Sequence, residues 1–192
     1  MNQTETGRAG AIGVREMALC GLFAALMAIC SWISIPTAVP FTLQTFGVFV
    51  AVGVLGGRLG TLAVAVYLLL GAVGLPVFAG FTGGIGILLG STGGYLLGFL
   101  GSAAVMWCME RLGRGRAWVR LVSMVAGLLV CYLFGTVWFR MVYTAQNGAV
   151  TLGTVLGWCV LPFIPFDLLK IALAFAVTGR LEKNMEAAGW RR

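Results

Sequence analysis

Between Arg120 and Arg140 the chain runs for nineteen residues, "LVSMVAGLLVCYLFGTVWF", without a single charge. An apolar run of that length matches a bilayer's hydrocarbon core, about 30 Å or roughly twenty helical residues. It has company: residues 17–35 form a second long run, and shorter ones recur to the end of the chain. Sixty per cent of the residues are hydrophobic and ten per cent are charged. A soluble domain of 192 residues could not bury that much apolar surface in one core. The reading is an all-α integral membrane protein, with the bilayer as a partner.

Six spans are predicted, over residues 17–35, 44–56, 59–74, 94–109, 119–142 and 165–177. Pro36 and Pro40 end the first and leave an extended segment behind it. Residues 75–93, "LPVFAGFTGGIGILLGSTG", are apolar but too glycine-rich for a regular helix. They are expected to form a re-entrant or irregular external loop between helices three and four, because non-helical backbone at membrane depth must be buried in protein or line a cavity. The apolar stretch 152–161 is not counted as a seventh span, because that would carry the basic C-terminus to the outside.

Orientation follows from the cations. Arg8, Arg15, Arg58, Arg111, Arg114, Arg116, Arg120, Arg180, Lys183, Arg191 and Arg192 are eleven of the thirteen basic residues. Six spans with both termini in the cytoplasm place all eleven on that side, as the positive-inside rule requires. The expected organisation is one transmembrane domain over residues 1–192, with a cytoplasmic N-terminal segment at 1–16 and a cytoplasmic tail at 179–192, in the plasma membrane of a bacterial cell.

Several function classes drop out. The net charge of +7 is spent on short patches that border apolar runs, a topology signal and not a nucleic-acid surface. Histidine is absent, which excludes Ser-His-Asp and Cys-His catalysis. Cys20, Cys30, Cys108, Cys131 and Cys159 lie in apolar runs without metal-ligand spacing and read as packing residues. No phosphate-binding loop motif occurs. No enzyme, metal or cofactor is expected.

Against that background "CVLPFIPFDLLKIALAFAV" stands out, because Asp167 and Lys170 share one face of an otherwise apolar helix. Asp167 near a helix start suits the positive end of the helix dipole. Lys170 does not, and intramembrane ionisable residues are functional candidates by default. The uncharged external segments around the pair offer Phe41, Phe46, Phe78, Phe81, Tyr95 and Trp158, with polar atoms from Thr42, Gln44, Thr45, Thr82, Ser91 and Thr92. Apolar walls with a few convergent polar groups suit a small, largely apolar solute. Arg140, near the outer end of the fifth span, has no assigned role. Small-xxx-small spacings at Ala24/Ala28, Gly53/Gly57 and Gly94/Gly98 permit close helix contact, within the chain or with a partner.

Three stretches in order, "VPFTLQTFGVFVAVGVLGGRLG", "GLPVFAGFTGGIGILLGSTGGYLLGF" and "LPFIPFDLLKIALA", resemble the BioY family, the biotin-specific substrate-binding (S) components of energy-coupling-factor transporters. The likeness covers nearly the whole chain. It implies a six-helix membrane protein that binds biotin near its outer face and associates with a membrane coupling protein and two cytoplasmic ATPase subunits. By that resemblance Asp167 and Lys170 belong to the biotin pocket, Thr42 and Gln44 cap it, and Phe78, Thr82, Gly83, Gly84, Tyr95 and Trp158 wall it. Ala24 and Ala28 match the alanine surface that meets the coupling protein. In the third loop this chain has "FAGFTGG" where some members carry an amide side chain, which leaves the partner of a ureido ring from that loop open. The alternative is a self-sufficient secondary transporter of biotin or a similar vitamin, with Asp167 as the coupling carboxylate.

Overall fold

The structure, a computed structural model, describes residues 12–37, 39–113 and 116–187. Arg8, Arg114, Arg191 and Arg192 of the orientation argument lie outside the described residues. Among the described residues the helices are α1 (Val14–Trp32), α2 (Gln44–Leu55), α3 (Gly57–Ala72), α4 (Ile85–Leu89), α5 (Gly93–Leu112), α6 (Ala117–Asn147), α7 (Leu152–Cys159) and α8 (Ile164–Ala187). Two short strands, β1 (Ser34–Ile35) and β2 (Phe41–Thr42), pair antiparallel as a hairpin between α1 and α2.

The protein is an all-α membrane protein, and six of its helices coincide with the six expected spans. They alternate in direction. One end of the bundle gathers the β-hairpin, residues 73–92 and the α7–α8 turn; the other gathers Arg58, Arg116, Arg120 and Arg180. α1 and α6 are long and apolar enough to cross a bilayer alone, and α7 with α8 forms a pair bent by 48°. α7 therefore does not cross, as expected of 152–161. The outward faces are apolar: Leu129, Leu133, Val137 and Met141 recur every fourth residue along α6 and are exposed, as are Leu169 and Leu173 on α8. Such a stripe suits a lipid environment.

α2 is shorter than a span, twelve residues or about 18 Å. Its residues from Gly47 to Leu55 are all buried, with α1, α3, α5 and α8 packed around it. A helix walled by protein is apolar all round and need not match the lipid thickness. Gly56, at φ +81°, reverses the chain directly into α3. The Gly57 N–H there donates to Glu110 Oε2 at 2.5 Å, so a carboxylate from α5 sits on the positive end of α3.

α5 and α6 form the closest pair. A Cβ at Gly98 would lie 3.2 Å from Cys131 Cα, and one at Gly135 would fall 2.1 Å from the Tyr95 ring. Glycine at these points lets the backbones approach and leaves room for the aromatic ring. α8 continues to Ala187, so the C-terminal segment from 179 is helical at least that far; "LEKNMEA" consists mainly of good helix formers. One expectation needs correction. Ala24 and Ala28, expected to face a partner, are 1% and 5% exposed and pack into this chain's own core. The small residues of α1 that do face outward are Ala18, Gly21 and Ala25.

Candidate binding site

Where the hairpin, the 73–92 loop and the start of α8 converge, a cavity of about 270 Å³ opens between α2, α5, α6 and α8. Its polar centre is the Asp167–Lys170 pair. Asp167 is 2% exposed and Lys170 7%, and Lys170 Nζ donates to Asp167 Oδ1 at 2.8 Å. Pro165, the second residue of α8, needs no N–H partner in the first turn, and Asp167 lies in that turn. The i, i+3 spacing then carries Lys170 onto the same face.

The carboxylate is held from three elements. Thr45 Oγ1 on α2 donates to Oδ1 at 3.0 Å, and the Tyr132 hydroxyl on α6 donates to Oδ2 at 2.5 Å. An ionised carboxylate accepts about four hydrogen bonds, and three are taken. Lys170 uses one of its three N–H donors in hydrogen bonds among the described residues. The pair therefore presents roughly one open acceptor beside two open donors.

A second polar thread runs along the cavity's other side. Thr42 Oγ1 donates to Gln44 Oε1 at 2.9 Å, and Gln44 Nε2 donates to the Tyr67 hydroxyl at 2.6 Å. Tyr67 in turn donates to the Val77 carbonyl at 3.0 Å. This ties the 73–92 loop to α2 and α3. Trp32 on α1 adds another tether, donating from Nε1 to the Pro76 carbonyl at 2.8 Å. The walls are aromatic. Phe78 is fully buried and packs edge-on to Tyr67 with centroids 5.6 Å apart; Tyr95 reaches Thr136 Oγ1 at 3.3 Å. Over the top, Phe41 of β2 stacks on Phe163 with centroids 3.8 Å apart and planes 2° from parallel. This stack pins the hairpin to the α7–α8 turn.

Of the ten ligand-site residues expected from sequence, the structure brings Thr42, Gln44, Phe78, Thr82, Tyr95, Asp167 and Lys170 to the cavity. Three lie elsewhere. Trp158 is 44% exposed and packs edge-on to Tyr143, because the bend after α7 turns that face outward. Gly83 lies against the Leu75 carbonyl, where a Cβ would come within 2.2 Å, and Gly84 donates its N–H to the Gly71 carbonyl at 2.7 Å. Both shape the loop's own backbone and do not line the cavity. Arg140 is exposed on α6, away from the site. Sequence reasoning missed Tyr132 and Tyr67, since nothing marks a tyrosine inside an apolar helix as the partner of a residue far along the chain.

Comparison with known proteins follows the same lines. A profile for the BioY family matches residues 1–187. The biotin transporter BioY of Thermotoga maritima is 44% identical over 171 residues, covering 88% of this chain and 97% of that protein. The biotin transporter BioY of Rhodobacter capsulatus is 37% identical over 181 residues, covering 89% and 93%. A crystal structure at 2.1 Å of the S-component for biotin from an ECF-type ABC transporter superposes with a TM-score of 0.77 at 26% identity, covering 90% of this chain and 95% of that one. A profile match over nearly the full length, together with relatives this similar across most of both chains, means that this chain belongs to the BioY family.

Proposed function

We propose that this chain takes up biotin across the cell membrane as the substrate-binding S component of an energy-coupling-factor transporter, with Asp167 and Lys170 at the centre of the pocket. The observation that carries the reading is a buried ion pair with open hydrogen-bonding positions at the wall of an apolar, aromatic cavity. Biotin is a fused bicycle with a neutral ureido head and an anionic tail. The ureido group sets an N–H donor beside a carbonyl acceptor, the complement of the open acceptor on Asp167 and the open donors on Lys170. Placing the carboxylate tail there instead would bury a third charge beside a pair that is already neutralised, at a desolvation cost of several kcal/mol. The head therefore goes to the pair and the tail toward the hairpin, the proposed lid.

The orientation proposed is N- and C-termini in the cytoplasm, with the cavity toward the outside, supported by Arg15, Arg58, Arg111, Arg116, Arg120, Arg180 and Lys183 at the other end. A membrane coupling protein and two cytoplasmic ATPase subunits would supply the energy. The deciding experiment is equilibrium binding of radiolabelled biotin to the purified chain, with the methyl ester of biotin and 2-iminobiotin as competitors. The ester should compete within about threefold of biotin and iminobiotin far less well. The reverse order would place the tail at Lys170, and no binding by folded protein would overturn the biotin assignment.

A further inference from the structure

The larger cavity, about 600 Å³, lies at the opposite end of the bundle between α2, α5, α6 and α8. Nothing in biotin binding uses it. Its mouth carries Arg116, Arg120, Arg180 and Lys183 against Glu110 and Glu182, a net charge of +2. Both carboxylates are already engaged. Glu110 accepts the Gly57 N–H, and Glu182 accepts Arg120 Nη1. Among the described residues Arg116, Arg180 and Lys183 form no ion pair. Arg120 lies over the Phe175 ring with its guanidinium carbon 5.2 Å from the centroid, and its buried Nε has no hydrogen-bond partner among the described residues. A buried, unpartnered guanidinium N–H costs free energy that an acceptor from outside the chain would recover.

We propose that this cavity binds the phosphate headgroup of an anionic membrane lipid. Charge complementarity selects the phosphate, and the layering of the site selects a lipid as its source. Deeper in, the walls become apolar, with Val52, Met106 and Phe175, so the cavity grades from cationic mouth to hydrocarbon-compatible interior. Trp107, with Arg111 stacked 4.7 Å over its ring, and exposed Trp118 lie at the same level. Tryptophans of this kind mark the depth of the headgroups. The volume falls within the range of small-ligand sites, and basic pockets between helices at this depth are suited to anionic headgroups. The site requires only that this end lie at a membrane surface; that the surface is the cytoplasmic leaflet rests on the orientation proposed above.

The test is native mass spectrometry of the delipidated protein titrated with phosphatidylglycerol or phosphatidylcholine, for the wild type and for Arg116→Gln combined with Arg180→Gln. Both positions are exposed, so the fold should survive. The wild type should retain one phosphatidylglycerol in preference to phosphatidylcholine. At about 1 kcal/mol per cation, the double variant should bind it about 30-fold more weakly. Arg116→Lys with Arg180→Lys should keep the preference, and biotin binding should be the same in all three proteins, which separates failure here from failure of the biotin reading. Equal retention of the two lipids, or a preference untouched by the glutamines, overturns the proposal. Displacement by millimolar glycerol phosphate makes the ligand a soluble anion and overturns the lipid source. Loss of coupling-protein association in the double variant without any lipid preference assigns the surface to that partner instead.

Discussion

Lys170 stands about 1.7 turns into α8, in its N-terminal half and out of water. Asp167 makes that position tolerable, and Thr45 and Tyr132 hold Asp167 in place. The two members of the pair should therefore fail differently when replaced. Asp167→Asn leaves a buried ammonium without its counter-charge, at a cost of about 3–5 kcal/mol. Its thermal midpoint should fall sharply, along with biotin binding. Lys170→Met removes the cation and fills its volume, leaving a carboxylate that two hydroxyls still satisfy. Its midpoint should move far less, while biotin affinity drops by about 10- to 100-fold for the loss of a charge-assisted hydrogen bond. Thermal melts and equilibrium binding on both variants check this, and similar melting losses would show the pair to be chiefly structural. Asp167 and Lys170 were legible in the sequence because charge inside an apolar run has no ordinary explanation. Thr45 and Tyr132 were not legible as its partners: hydroxyls are common in such helices, and these two reach Asp167 across 122 and 35 residues of sequence.

At the scale of elements, the lid and the first helix carry the sharper expectations. The β-hairpin closes over the cavity through Phe41, stacked on Phe163 and edge-on to Phe166 at 5.5 Å. Aromatic pairs contribute about 0.5–1.5 kcal/mol each beyond their buried area, so Phe41→Ala should speed biotin release by about tenfold or more. Stopped-flow dissociation would show this, with the association rate changing little; an unchanged release rate would mean that the hairpin is not the lid. Six spans were legible from apolar runs and their bounding cations, and the irregular 73–92 segment from its glycines. The inward face of Ala24 and Ala28 was not, since small-xxx-small spacing states that a helix packs closely but not against what. Ala28→Leu should overpack the core and destabilise the chain by about 1–3 kcal/mol. Ala25→Leu, on the outward face, should leave melting and biotin binding intact while weakening capture by the coupling protein. If Ala25→Leu binds the coupling protein normally, α1 does not meet it through this face.

On the scale of the whole molecule, the two cavities lie at opposite ends of the same helices and are separated by a packed floor. Ile171, Ala174 and Thr178 of α8 are buried there, and a Cβ on Gly53 would fall 2.5 Å from Thr178 Cγ2. Met124 of α6 fills the same layer. A ligand held at Lys170 thus has no open route to the basic end, and interiors packed this tightly do not deform continuously. Passage requires either that this layer open or that the whole subunit be reoriented by something outside it. Among the described residues there is one buried carboxylate for ion coupling, and Thr45, Tyr132 and Lys170 already occupy it. Energy from separate ATPases is the reading that leaves those bonds undisturbed. Cells that lack other biotin transport should then bind radiolabelled biotin when they express this chain alone, but accumulate it only when the coupling protein and both ATPases are also present. Accumulation that survives removal of the ATPases, collapses with the proton gradient and is abolished by Asp167→Asn would instead make Asp167 the coupling group, and the packed floor would have to be a gate that this chain opens by itself.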